Sequence, residues 1–263
     1  VPALPTTSPL TVVAELDEGS TLQVGVAAGL APVLGGVTPA GTIVLGAACD
    51  PEFVSGLFGS RPMLNGYIWA LAVFDDGSGP ALYAGGAFST ISGVAANSIA
   101  KWNGASWSPL GSGVVTGVFS GYPAYQCYYG YGTVKALRVA TDANGTALFV
   151  GGDILSAGGV PADLVARWDG TAWSGSPAPA CGTASRRVET LAAFDDGSGP
   201  AVFAGGFFSS IGGVEARSVA KFEGAGWSPL DQGVGIVDGT IVQAGLVTAL
   251  AVYDGGEGPE LVA

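Results

Sequence analysis

One segment of the chain returns almost letter for letter, and this repetition limits the possible folds more than any other feature. Residues 71–86 read LAVFDDGSGPALYAGG, residues 191–206 read LAAFDDGSGPAVFAGG, and residues 137–152 form a third, more divergent copy. A fourth copy begins at Leu250. Because self-similarity of this kind marks an array of one structural unit, we predict a repeat protein.

Each full copy continues beyond its Gly-Gly pair with a small-residue loop and then a segment that closes on a Trp. The loops are residues 89–94, 156–160 and 209–214, and the closing residues are Trp107, Trp173 and Trp227. The leading Leu, the Gly pair and the closing Trp are all spaced by 66 and then 54 residues between copies. Length varies only after the closing Trp, so each copy is interpreted as a rigid module and the variable part as a surface connection.

The pattern within a module predicts four short antiparallel strands. The apolar run 71–74 is followed by the turn formers 75–80, and residues 81–86 are the returning strand of a hairpin. Residues 99–102 are the third strand, and a tight turn at Asn103-Gly104 leads to a fourth around Trp107. Four such strands per repeat of about 60 residues are typical of a propeller blade. We predict an all-β fold, a β-propeller that is incomplete in this chain; the alternative is an open β-array.

The modules divide the chain into five parts. A degenerate blade with its connection is expected at 1–66, blades at 67–133, 134–187 and 188–246, and the first two strands of a truncated blade at 247–263. The first part keeps the order of strand, acidic turn and strand but lacks both Trp residues. Because the last part offers an unpaired strand edge, we expect a larger parent chain or self-association.

The charge balance restricts the partners. Nine Lys and Arg against 21 Asp and Glu give a net charge of −12, which repels phosphate backbones and argues against nucleic acid. No apolar run reaches the roughly 18 residues that span a bilayer, so membrane insertion is not expected. Only 11% of residues are charged, which favours a secreted or cell-surface protein.

The three cysteines leave an odd count. Cys49, Cys127 and Cys181 all lie in connections, and the last two each stand ten residues before the next leading Leu. A disulfide in an oxidising compartment and three unpaired thiols are both compatible with this placement.

The repeat resembles a known family. A strand that ends on Gly-Gly, then a Trp and a second Trp a few residues later, resembles the kelch-type propeller repeat. The longer signature is similar to repeats of large secreted bacterial proteins, notably from planctomycetes, and to the ectodomain of the fungal cortical polarity marker. The resemblance covers about residues 66–263, although the modules are longer and less regular than typical kelch units. It implies a surface-exposed scaffold and transfers no catalytic residue.

The repeated acids are candidates for calcium ligands or for turn formers. Asp75 and Asp76 recur as Asp195 and Asp196, and related acids stand at 142 and 254. A calcium site needs six to eight oxygen ligands, whereas each loop offers only two or three side chains that carry oxygen atoms. Asp beside Gly is also common in turns. We therefore predict turns and no metal site.

The aromatic residues fall into a repeated and a unique group. Rings that recur in every module, such as Tyr83, Trp102 and Trp107, are predicted to pack between modules rather than to stack sugars. A unique connection concentrates five of the eight Tyr residues, and we predict it to be an exposed excursion that binds a partner. A self-packed loop is the alternative. The predicted binding residues are Tyr122, Tyr125, Tyr128, Tyr129 and Tyr131.

Catalysis has little support in the sequence. There is no His, and no nucleophile elbow, phosphate loop or dinucleotide fingerprint is present. We predict no catalytic residues and no cofactor. The expected function is a non-enzymatic extracellular or cell-surface scaffold that binds a protein or glycan through variable loops. The alternative is a glycan-processing hydrolase or lyase on the same scaffold.

Overall fold

The computed structural model of the chain describes residues 10–15, 23–28, 64–120, 126–177, 186–231, 233–238, 241–256 and 258–263. Every regular element among these residues is a β-strand, and all pairings are antiparallel, which confirms the predicted all-β class. The chain divides into two compact units, Val1–Pro62 and Met63–Ala263.

The first unit contains one described hairpin. Strands β1 (Leu10–Glu15) and β2 (Gln23–Ala28) pair antiparallel, with Leu10 opposite Ala28. Two paired strands at this place agree with the expected order, while a degenerate blade remains a prediction.

The second unit contains a series of sheets in which each repeat forms strands at matching positions. The first repeat gives β3 (Tyr67–Asp75), β4 (Pro80–Ala87), β5 (Thr90–Ile91), β6 (Val94–Ala95), β7 (Ile99–Trp102) and β8 (Trp107–Pro109). A connection follows with β9 (Val114–Ser120) and β10 (Gln126–Tyr131). The second repeat gives β11 (Thr133–Asp142), β12 (Gly145–Asp153), β13 (Ser156–Ala157), β14 (Val160–Pro161), β15 (Val165–Trp168) and β16 (Trp173–Gly175).

The third repeat follows the same order. It gives β17 (Arg187–Asp195), β18 (Pro200–Phe207), β19 (Ser210–Ile211), β20 (Val214–Glu215), β21 (Val219–Phe222) and β22 (Trp227–Pro229). Two further hairpins are formed by β23 (Gly235–Asp238) with β24 (Ile241–Ala244) and by β25 (Ala251–Asp254) with β26 (Pro259–Val262).

Three four-stranded sheets have identical strand order, and we call them the first, second and third sheets. They are β3-β4-β7-β8, β11-β12-β15-β16 and β17-β18-β21-β22. Their leading strands β3, β11 and β17 contact one another in sequence. Among the described residues the sheets do not close into a barrel or ring.

The Gly-Gly pair lets each leading strand bulge and lets the next sheet approach. The ladder shifts register at the bulge, for example between Val134 and Ala136, opposite the pair. A Cβ on Gly152 would lie 1.8 Å from the carbonyl oxygen of Thr133, and one on Gly151 would lie 2.7 Å from Cγ1 of Val188 in the third sheet. The two glycines therefore serve different contacts, one within a sheet and one between sheets.

The small-residue loops are two-residue hairpins rather than irregular loops. Strands β5 and β6 are joined by Ser92 and Gly93, both with positive φ, and Gly158-Gly159 and Gly212-Gly213 repeat this geometry. Two successive positive φ values are the requirement of the turn that closes tight hairpins. These strands were not predicted from the sequence because each has only two residues.

Side chains of neighbouring sheets form joint cores. Tyr83 of the first sheet clusters with Val134 and Val150 of the second, and Phe149 of the second clusters with Val202 and Trp227 of the third. Tyr83 and Trp107 are buried, as the packing interpretation expects, and Trp102 is half-buried.

Candidate binding site

The first acid of the hairpin loops builds the turn that it stands in. Asp75 Oδ1 accepts hydrogen bonds from the backbone N–H groups of Gly77 at 2.9 Å and Gly79 at 3.0 Å. Asp195 and Asp254 make the same pair of bonds. These carboxylates are therefore engaged by backbone donors, in keeping with the expected turn chemistry.

The second acid pairs with a cation of the third strand in all three sheets. Asp142 Oδ2 lies 3.1 Å from Arg167 Nε, and Asp196 Oδ2 lies 2.7 Å from Lys221 Nζ. Asp76 pairs in the same way with Lys101. Each ion pair links the hairpin loop between the first two strands of a sheet to the third strand of the same sheet. No group of three or more His, Cys, Asp or Glu residues within the described ranges could hold a metal ion.

These ion pairs fix the protonation of the acids. Desolvation raises the pKa of Asp76, but hydrogen bonds from Lys101, Ser78 and Tyr83 outweigh it and hold the pKa well below its usual range. The hydrogen bond from Lys221 is the main cause that lowers the pKa of Asp196 to about 2. Both carboxyls are ionised near neutral pH, where a general acid would need its proton.

The predicted tyrosine site lies at the border of the described residues. Tyr122 and Tyr125 fall outside them, as do Cys49 and Cys181. Strand β10 contains Tyr128, Tyr129 and Tyr131 and pairs with β9, whose other neighbour is β13. Part of the segment is thus a regular strand in a sheet that includes β13 and β14 of the second repeat, and its role in binding stays a prediction. Cys127 stands in β10 opposite Phe119, and the disulfide also stays a prediction.

Exposed aromatic residues collect where the leading strands begin. Tyr67 is 70% and Trp69 43% exposed, and their rings are parallel, with an interplanar angle of 1° and centroids 6.3 Å apart. Lys135 of the second sheet places Nζ 3.6 Å from the centroid of the Trp69 ring, a cation–π contact.

The matching end of the third sheet carries an ion pair and a further exposed ring. Arg187 forms an ion pair with Glu189, and Phe207, which pairs with Arg187 across β17 and β18, is 39% exposed. We call the whole surface the aromatic rim, and it comprises Tyr67, Trp69, Lys135, Arg187, Glu189 and Phe207. Trp69, Lys135 and Glu189 all occupy the bulge of their leading strand.

The aromatic rim was not found from the sequence. Its members are chemically different in each repeat, so no recurring pattern marks them. The ion pairs, by contrast, could have been predicted from a recurring spacing in the sequence. In each repeat a cation follows the acid by 25 residues: Lys101 after Asp76, Arg167 after Asp142 and Lys221 after Asp196.

Comparison with known proteins adds no relative. No protein-family model, no curated protein and no solved structure matches the chain.

Proposed function

We propose that the chain is a non-enzymatic binding scaffold of propeller type, built from kelch-like blades of a secreted or cell-surface protein. Support for the architecture comes from the three sheets of identical strand order, whose leading strands contact one another. The innermost strands of adjacent propeller blades have this relation. The resemblance of the repeat to secreted bacterial repeats supports the location.

The observation that carries the binding function is the aromatic rim. Tyr, Trp and Arg are the residues enriched at energetic centres of protein interfaces, and this surface joins exposed rings of the first sheet to cations of the second and third. A protein partner at the cell surface fits this composition, and the parallel rings also suit stacking on a glycan. The net charge of −12 opposes nucleic acid.

The enzyme alternative lacks a specific observation in its favour. Acids of the hairpin loops, which would have to supply acid and base groups, are held by turn N–H donors and by Lys or Arg in each sheet. No helix among the described residues is long and apolar enough to cross a bilayer.

Binding to the rim is tested with the double variant Tyr67→Ser/Trp69→Ser. Arrays of extracellular proteins and of glycans are probed with the folded chain, and we expect at least about tenfold weaker binding of whatever partner the wild type retains. Tyr253→Ser is the matched control, because Tyr253 is 61% exposed in the last hairpin, outside the rim. A Tyr125→Ser/Tyr128→Ser/Tyr129→Ser variant tests the predicted tyrosine segment in the same assay. Equal binding by the rim variant and the wild type would remove the rim from the proposal, and turnover of a polysaccharide would favour the enzyme.

A further inference from the structure

A cleft of about 410 Å³ lies between the second and third sheets. Its walls come from β12, β15 and β16 on one side and from β21 and β22 on the other. The residues that matter here are Phe149, Arg167, Ser174, Phe222 and Trp227. Its size falls in the range of small-ligand sites.

Two rings that line or border the cleft are smaller than their counterparts at the boundary between the first and second sheets, although both boundaries are packed clusters. At that boundary Tyr83 and Trp168 belong to one packed cluster, and the Tyr83 hydroxyl donates to Asp76 Oδ2 at 2.9 Å. Phe149 stands at the position of Tyr83 and Phe222 at that of Trp168, with ring centroids 6.0 Å apart. The hydroxyl and the second ring of the indole are therefore missing.

The cation that lines the cleft has a spare donor group. Arg167 engages Nε with Asp142, and Nη2 with Asp142 and the carbonyl oxygens of Asn144 and Gly145. Its Nη1 donates no hydrogen bond to any described residue. The matching lysines differ, because Lys101 and Lys221 direct their ammonium groups to a carboxylate and a serine of their own hairpin.

A hydroxyl of the cross-strand partner of Arg167 also lines the cleft. Ser108 and Ser228 donate their hydroxyls to the carbonyl oxygens of Lys101 and Lys221, each at 3.4 Å. Ser174 stands at the matching position, is exposed and makes no such bond to Arg167 within the described part of the chain. The cleft thus offers a guanidinium edge and a hydroxyl opposite the rings of Phe222 and Trp227.

We propose that this cleft binds a neutral hexopyranose unit. The ring hydroxyls accept from Arg167 Nη1 and exchange hydrogen bonds with Ser174, while the apolar face of the sugar lies against Trp227 or Phe222. The charge of Arg167 is balanced by Asp142, whose side chain is fully buried, so the site carries no net charge that would demand an anion. This site is separate from the aromatic rim, and the inference goes beyond the proposed function.

The test uses three substitutions that copy residues from the other repeats. Phe222→Trp installs the residue found at 102 and 168 and fills the cleft, and Arg167→Lys keeps the pair with Asp142 but removes Nη1. Lys101→Arg is the control, since it makes the reverse exchange in the first sheet. Binding of methyl gluco-, galacto- and mannopyranosides, and of a methyl hexuronate, is measured by ligand-observed NMR and calorimetry on the whole chain.

We expect at least one of these glycosides to bind, Phe222→Trp to abolish that binding, Arg167→Lys to weaken it at least tenfold, and Lys101→Arg to leave it unchanged. Should Phe222→Trp fail to fold, Arg167→Lys decides alone. Absence of binding by every glycoside, equal binding by Arg167→Lys and the wild type, or tenfold tighter binding of a hexuronate would each overturn the proposal. The Tyr67→Ser/Trp69→Ser variant should retain sugar binding, so failure of the rim and failure of the cleft are distinguishable.

Discussion

The boundary between the first and second sheets is packed with the larger rings of Tyr83 and Trp168, whereas the boundary between the second and third has smaller rings and contains a cleft. Both boundaries join sheets of the same strand order, and at both the first glycine of the Gly-Gly pair lies against a Val of the next sheet. The difference lies in a few rings, Tyr83 with Trp168 at one boundary and Phe149 with Phe222 at the other. The backbone of the repeat therefore sets how sheets stack, and individual side chains decide whether space is left between them.

Polar links across the two boundaries also differ. At the first, the buried Ser98 donates its hydroxyl to the carbonyl oxygen of Gly132. At the second, Asp163 lies 3.1 Å from Arg186 Nη1 and accepts from the backbone N–H of Gly212 at 2.8 Å. A neutral bond in one place is thus replaced by a buried ion pair in the other, while the strands around them stay the same.

The largest expected effect tests the bulge that the first and second sheets share. Gly86→Ala and Gly152→Ala place a Cβ 1.9 and 1.8 Å from a backbone oxygen of the bulge, which cannot yield as a side chain would. We expect each to lower the free energy of unfolding by about 3 kcal/mol or more, measured by urea denaturation. Gly226→Ala is the control, because no atom lies within 4 Å of its Cβ position, and it should change stability by less than about 0.5 kcal/mol. Strong destabilisation by only one of the two would show that the bulges of the first and second sheets are not equivalent.

The next effect tests the ring sizes that distinguish the two boundaries, through reciprocal exchanges of Trp and Phe. Trp168→Phe opens a cavity at the boundary between the first and second sheets and should destabilise the protein by about 2 kcal/mol. Phe222→Trp adds the same ring at the cleft, where space already exists, and should change stability by less than about 1 kcal/mol. Thermal and urea unfolding of both variants give the comparison. Equal losses would mean that the second boundary is as tightly packed as the first.

A smaller effect concerns pH and the ion pair of Asp76 with Lys101 in the first sheet. The pKa of Asp76 is lower in the folded protein than the value of 3.8 of a free side chain, so the folded state binds this proton less readily than the unfolded state. The resulting stability is complete above about pH 4 and is lost as the pH falls toward the folded pKa. A charge-assisted hydrogen bond contributes about 1.5 kcal/mol, and Asp76→Asn should remove this part of the acid dependence. Stability that falls equally steeply from pH 5 to pH 2 in wild type and variant would contradict the assignment.

The sequence was sufficient to predict the strand order of the three sheets but not the hairpins in the connections between them. Strand order within a repeat follows from patterns that recur three times, such as the Gly-rich turn after Phe74 and the tight turn at Asn103. The hairpins β9–β10 and β23–β24 follow the closing Trp, where the length differs between copies, and these segments were interpreted as surface connections. Residues 107–114 and 227–234 share the pattern WSPLxxGV and lead into both hairpins, so a recurrent signal was present there.

The candidate sites were harder to predict for physical reasons. The rim depends on contacts between residues that are unlike, such as Trp69 and Lys135, brought together only when bulged strands of two sheets adjoin. The cleft depends on what Phe222 lacks relative to Trp168, and the size of a space cannot be derived before the rings that border it are placed. Recurrence of a ring predicts that it packs in the core, and the recurring rings do so. Recurrence does not indicate the size of each ring, so it gave no sign of the cleft beside Phe222.

The smallest effect concerns the mouth of the cleft. Asn144 Nδ2 donates to the carbonyl oxygen of Gly224 at 2.8 Å and so links the hairpin of the second sheet to the third. Ser78 and Ser198, at the same position in the other repeats, bond instead to Asp76 and Asp196 of their own hairpins. Because the Asn144 bond is exposed to solvent, Asn144→Ser should lower the free energy of unfolding by only about 0.5 kcal/mol, with no change in the urea m-value. A loss above about 2 kcal/mol, typical of removing a buried partner, would show that this bond holds the two sheets together and that the cleft is closed more firmly than its exposed mouth indicates.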